Sequence, residues 1–125
     1  MRPATAQYPG RAPIDAYGGG GFRFAGMSHR GSVLCLPDAI TAWDVRTAAE
    51  LTPASFELLL ARKDQVRVLL LGTGRDQVFP NDGVRAALCE AGIAVEAMST
   101  GAACRTYNVL LGEGRPVAAA LVAVD

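Results

Sequence analysis

The chain has 125 residues, 50% hydrophobic and 19% charged, a length that fits one domain and a composition too apolar for intrinsic disorder. Twelve basic side chains balance twelve acidic ones, so net charge offers no case for nucleic acid or an anionic membrane surface. No apolar run approaches the ~17–25 residues that cross a bilayer, which excludes insertion by a helix.

Residues 1–13 carry Pro3, Pro9 and Pro13 and no apolar stretch of the kind a secretory signal needs, and read as a flexible N-terminal arm. A single α/β domain is expected over residues 14–125. Gly18 to Gly21 are four consecutive glycines, a turn too costly in backbone entropy for regular structure. Phe22–Ala25 and Ser32–Leu36 are strand-like runs and predict an antiparallel β-hairpin; Ile40–Val45, with Trp43, reads as an extended or irregular connection. Thr52 and Pro53 suit the cap and first position of a helix running to about Lys63, with Phe56, Leu59 and Leu60 on its buried face.

From Val66 onward strand and helix alternate. Val66–Leu71 is a short apolar strand, Asn81-Asp82-Gly83 can cap a helix with Val84, Ala87, Leu88 and Ala91 on one side, and Ile93–Ala97 is the next strand. Ser99 or Thr100 caps a third helix with Ala103, Thr106, Tyr107, Leu110 and Leu111 inward, and Val117–Val124 is the last strand. This alternation predicts an α/β layer structure with a mostly parallel sheet and helices packed on it.

Cys35, Cys89 and Cys104 form no C-x-x-C pair, and the one histidine, His29, lies far from them in sequence. That is poor material for disulfides or zinc. Free thiols in a reducing compartment, cytoplasmic by default, with no metal and no cofactor, are the expectation.

Two places have the residue types for binding. Gly72-Thr73-Gly74 follows a buried strand, where glycine lets backbone N–H groups approach an anion; the third glycine of a dinucleotide fingerprint and the Walker lysine are both missing, and a plain tight turn accounts for the run. Ser99 and Thr100 open a helix whose first N–H groups lack partners, with Arg105 one turn inside and Asn108 sharing its face. Cys104 stands beside Arg105, near a helix start that can lower a thiol pKa, yet a nucleophile needs a base and only His29 is on offer. No carboxylate pair has a spacing that assures a common site. The sequence therefore assigns no catalytic residue.

The segments Leu69-Leu70-Leu71-Gly72-Thr73-Gly74, Gly92-Ile93-Ala94-Val95-Glu96-Ala97-Met98-Ser99-Thr100, Ala103-Cys104-Arg105-Thr106-Tyr107-Asn108-Val109-Leu110-Leu111 and Glu113-Gly114-Arg115-Pro116-Val117-Ala118-Ala119-Ala120-Leu121, together with Tyr17–Phe22, Ser32-Val33-Leu34 and Trp43, resemble a small α/β domain family of unknown function. That family includes mitochondrial complex I assembly factor 3 and the adipogenesis-associated domain protein, and the resemblance covers about Ile14 to Val124. It implies a three-layer fold with a central mixed sheet, in which the last strand can run antiparallel, and no established activity, metal or cofactor. It places the chain among the bacterial stand-alone members.

Two functions follow as expectations. One is a non-enzymatic interaction or assembly-factor-like protein, a monomer or weak homodimer, that meets protein partners through surface near Gly72, Thr73, Gly74, Arg105, Thr106 and Asn108. The other is a binder of an anionic small molecule, or an enzyme, built on the Gly72–Gly74 turn and the Ser99 helix start with Thr100, Cys104 and Arg105 close by. A third reading gives Arg105, Thr106, Tyr107 and Asn108 to the fold itself, as hydrogen bonds that lock the third helix.

Overall fold

A computed structural model describes residues 7–125. Six strands form the main sheet: β1 (Gln7–Pro9), β5 (Ser32–Cys35), β6 (Ala39–Trp43), β7 (Val68–Gly72), β8 (Ala94–Met98) and β9 (Val117–Leu121), in the order β1-β6-β5-β9-β7-β8. The sheet is mixed, as the resemblance implied. β9 runs parallel to β7 and antiparallel to β5, so the change of direction falls on β9. A separate antiparallel sheet of three strands, β2 (Ala16–Gly18), β3 (Gly21–Phe24) and β4 (Met27–Arg30), lies beside it.

Two apolar clusters fill opposite faces of the main sheet. One joins Trp43, Phe56, Leu59, Leu69, Leu71 and Ile93 to Val84 and Leu88 of α2 (Asp82–Glu90). The other joins Phe22, Phe24, Cys35, Leu70 and Leu121 to Ala103, Cys104 and Tyr107 of α3 (Thr100–Gly112). The alternation along β7, with Leu69 and Leu71 on one face and Leu70 on the other, sends one apolar run into both cores. Ala118, Ala119 and Ala120 of β9 are fully buried, small enough to sit between strands covered on both faces. No helix among the described residues is long and apolar enough to cross a membrane.

Four expectations change in detail. Phe22–Phe24 and Ser32–Cys35 are strands, but they belong to different sheets. The hairpin closes at Ala25-Gly26, both at positive φ, and pairs Phe22 with His29 rather than with β5. The segment around Ile40 is a regular strand, β6, held between β5 and β1. The latter part of the expected N-terminal arm supplies β1, and Ala12 is buried behind it; residues 1–6 lie outside the described residues.

The helix expected over 52–63 is broken. Thr52 and Ser55 form a capping box and Pro53 opens a 3-10 turn to Phe56, after which α1 spans only Glu57–Leu60. The Trp43 indole N–H donates to the Ser55 carbonyl at 2.7 Å, capturing an acceptor that a continuous helix would use. Phe56 and Leu59 are fully buried, so packing around Trp43 decides the local backbone.

Candidate interaction surface

The carboxyl ends of β7 and β9 meet the start of α3 through one buried hydroxyl. Thr100 is fully buried; its Oγ1 accepts the Gly74 N–H at 2.9 Å and donates to the Val122 carbonyl at 2.7 Å. The Thr100 N–H returns to the Gly74 carbonyl at 2.8 Å. A Cβ on Gly72 would stand 3.0 Å from Thr100 Cα, so glycine lets the strand end and the helix start approach this closely. Thr73 is buried too, its N–H bonded to the Met98 carbonyl at 2.9 Å and its hydroxyl donating to the Asp76 carbonyl at 2.6 Å.

Gly72, Thr73, Gly74, Ser99 and Thr100 are thus one junction, as the sequence grouping has it. The N–H groups of Thr73, Gly74 and Thr100 are, however, bonded within the protein, and the Ser99 hydroxyl accepts the Ala102 N–H at 3.3 Å. Beside the junction lies a crevice of about 550 Å³ between the ends of β7 and β9, lined by Arg46, Thr47, Thr73, Gly74, Arg75, Asp76 and residues 122–125.

The residues one and two turns into α3 divide by face. Asn108 turns inward: its Oδ1 accepts the Ile14 N–H at 2.8 Å and its Nδ2 donates to the Ile14 carbonyl at 2.9 Å. The side-chain amide acts there as a strand partner and ties residues around Ile14 to the helix. Thr106 is half-buried, and Arg105 is exposed. The Arg105 guanidinium reaches back, with Nη1 3.5 Å from the position of a Cβ on Gly101, and a Cβ there would overlap the Tyr17 hydroxyl. Tyr17 is 44% exposed and Val109 59%. Tyr17, Gly101, Arg105 and Val109 therefore form one outward stripe, spaced at i, i+4 and i+8 along the helix.

Sequence reading missed Tyr17 and Val109 as members of this surface. Val109 carried a signal, an apolar residue four beyond Arg105 and off the inward face; Tyr17 carried none, because the small sheet brings it to α3.

Cys104 turns inward, and burial pushes its thiol up to about 12, against the smaller lowering effect of the Arg105 charge. The direction is opposite to that expected from the helix start, because the thiol lies in the apolar core beneath the first turns rather than in front of them. Burial, with Cys104 adding to it, raises the Cys35 thiol as well. His29, 5% exposed, has its Nε2 3.2 Å from the Ser32 carbonyl, which fixes that nitrogen as a donor. Among the described residues no hydrogen bond joins His29 to a thiol, so the one base and the nearest nucleophile are not paired.

These features define a small three-layer α/β domain with a mixed sheet, a buried hydroxyl junction and an exposed aromatic–arginine stripe. A family model described as "Protein of unknown function (DUF498/DUF598)" matches residues 14–122, and the chain belongs to that family. It is 42% identical over 122 residues to an uncharacterized protein of Rhodobacter capsulatus, covering 98% of this chain and 93% of that one. It is 32% identical over 117 residues to NADH dehydrogenase [ubiquinone] 1 alpha subcomplex assembly factor 3 of Mus musculus, covering 94% of this chain and 63% of that protein. The crystal structure of an outer membrane protein from Bartonella henselae superimposes with a TM-score of 0.91 at 51% identity, covering 94% of this chain and 99% of that one.

Proposed function

We propose that this protein is a non-enzymatic, assembly-factor-like adaptor that acts in the cytoplasm and binds a protein partner through the Tyr17–Arg105–Val109 stripe of β2 and α3. The observation that carries the proposal is the exposure of a tyrosine, an arginine and a valine side by side on one face of α3. Tyrosine and arginine are the residue types that dominate binding energy at interfaces, and here both stand on rigid elements. The assembly role draws support from the mouse relative, whose name assigns it to NADH dehydrogenase assembly; this chain spans 63% of that protein. The inward members of the group, Thr100, Asn108 and the Gly72–Gly74 turn, hold α3 in place beneath the stripe.

Cross-linked affinity capture of the tagged protein from its own cells, beside Tyr17→Ala and Arg105→Ala, tests this reading. Specific partners are expected with the natural protein and lost with both variants, each of which keeps the native circular dichroism spectrum. Capture that is equal in all three samples removes the stripe from the binding surface.

A second reading, a small anionic ligand in the crevice beside Gly74, is favoured by Arg46 and Arg75, which line it from separate loops. It predicts a saturable rise in melting temperature with a phosphate- or carboxylate-bearing metabolite, abolished in Arg75→Ala. No such rise across a metabolite panel eliminates it.

A further inference from the structure

The β8 edge of the main sheet, whose Ile93 and Val95 pack into the first core, carries beside it an exposed aromatic ring that neither the cores nor the α3 stripe uses. Phe79 is 68% exposed. Phe79, Pro80, Cys89, Ile93 and Val95 line a groove of about 440 Å³ that runs along β8. β8 ends the strand order, so one side of it has no strand neighbour among the described residues.

The free hydrogen-bonding groups on that side can be named. The Ala94 N–H donates to the Arg67 carbonyl and the Met98 carbonyl accepts the Thr73 N–H, so Ala94, Glu96 and Met98 turn their backbone groups toward β7. Alternation turns those of Ile93, Val95 and Ala97 outward. Of these, the Ile93 N–H donates to the Leu88 carbonyl at 3.0 Å, and the Ala97 carbonyl accepts from Gln77 Nε2 at 2.8 Å. Among the described residues, the N–H and carbonyl of Val95, the carbonyl of Ile93 and the N–H of Ala97 remain outward and open.

That pattern is self-complementary. A second copy laid antiparallel about a twofold axis, with Val95 opposite Val95, exchanges both Val95 hydrogen bonds in one closed pair. The same register sets Ala97 opposite Ile93 of the other copy, so each open Ala97 N–H meets an open Ile93 carbonyl. The two groups already engaged inside each chain, the Ile93 N–H and the Ala97 carbonyl, are those that would otherwise have paired across the axis. Glu96 then faces Ala94 rather than a second Glu96, and Arg85 on the rim of the same groove gives each copy one charge of either sign. A longer foreign strand would meet a ladder interrupted at both ends.

We infer that β8 is a homodimer edge, joining two copies of this chain into one continuous sheet across a twofold axis at Val95, with Phe79 covering the seam. The inference uses a different face from the α3 stripe, and the two stand or fall separately.

Sedimentation equilibrium of the natural chain from micromolar to millimolar concentration tests it. A monomer–dimer equilibrium is expected, weakened about tenfold or more by Val95→Pro, which deletes the central N–H of both copies, and likewise by Phe79→Ser. Val109→Ser, on the α3 stripe, leaves the equilibrium unchanged. Exchange of the Val95 and Ala97 amides slows as protein concentration rises. A chain that stays monomeric at millimolar concentration overturns the inference, as does a dimer that Phe79→Ser does not weaken and whose Val95 amide exchanges at a rate independent of concentration. Those last two readings decide the matter even if Val95→Pro fails to fold.

Discussion

Asn108→Ala removes the paired hydrogen bonds that hold Ile14 to α3, at 2.8 and 2.9 Å. Each typical hydrogen bond contributes about 0.5–1.5 kcal/mol net, and a buried backbone group left without a partner costs about 1–3 kcal/mol. Ile14 is 4% exposed with its side chain in the core, so its backbone recovers water only if the segment lifts and withdraws that side chain. A destabilisation of about 2–3 kcal/mol follows. For a domain of this size, between the ranges where 1 kcal/mol shifts the midpoint by about 4–8 °C and about 2–4 °C, that is a fall of roughly 6–15 °C. Urea unfolding followed by circular dichroism measures it, with an unchanged slope expected because the native surface hardly alters. Asn108→Asp sharpens the test: it keeps the acceptor for the Ile14 N–H but sets a carboxylate against the Ile14 carbonyl, so it should fail to rescue stability at neutral pH. A loss below about 0.5 kcal/mol for Asn108→Ala, with unchanged exchange of the Ile14 amide, would refute the clamp and return Asn108 to the candidate binding residues.

Thr100→Val preserves shape but leaves the Gly74 N–H and the Val122 carbonyl without their hydroxyl partner; a loss of about 2 kcal/mol is expected in the same unfolding assay. Gly72→Ala places a methyl 3.0 Å from Thr100 Cα, and should lower stability by about 1–3 kcal/mol by forcing β7 and α3 apart, whereas Gly112→Ala, with open space around it, should not. Of the three free thiols, exposed Cys89 alone should react with a water-soluble disulfide reagent in the native protein at neutral pH, and all three in denaturant; native reaction at Cys104 would contradict its burial. Because the folded Cys104 thiol ionises only at about 12 while an unfolded one ionises near ~8.5, the unfolded state loses protons first, and stability should fall as pH rises above about 8.5. Cys35 and Tyr107, also raised by burial, act in the same direction, and a flat unfolding midpoint between pH 8 and about 10.5 would exclude the effect.

Much of this protein was legible without coordinates because its signals are local. The run Val66–Leu71 had to hold a covered strand, being too short and too uniformly apolar for a one-sided element, and β7, Val68–Gly72, takes its later part and the next residue; the capping residues around Asn81 and at Ser99 or Thr100, with their inward stripes, announced α2 and α3. The quoted segments were enough to recognise the family, and with it the mixed sheet. What only the tertiary structure decided depends on groups far apart in the chain. The strand partners of β3 and β5 were exchanged because a short apolar strand does not encode its neighbour, and the 52–63 helix broke because Trp43 captured the Ser55 carbonyl. Asn108 and Arg105 share a helical face on paper; Ile14, 94 residues from Asn108, draws one inward, while Tyr17 from the small sheet joins the other at the surface. A side chain's type and spacing state which bonds it can make, but the choice between holding the fold and meeting a partner falls to whichever distant backbone group arrives beside it.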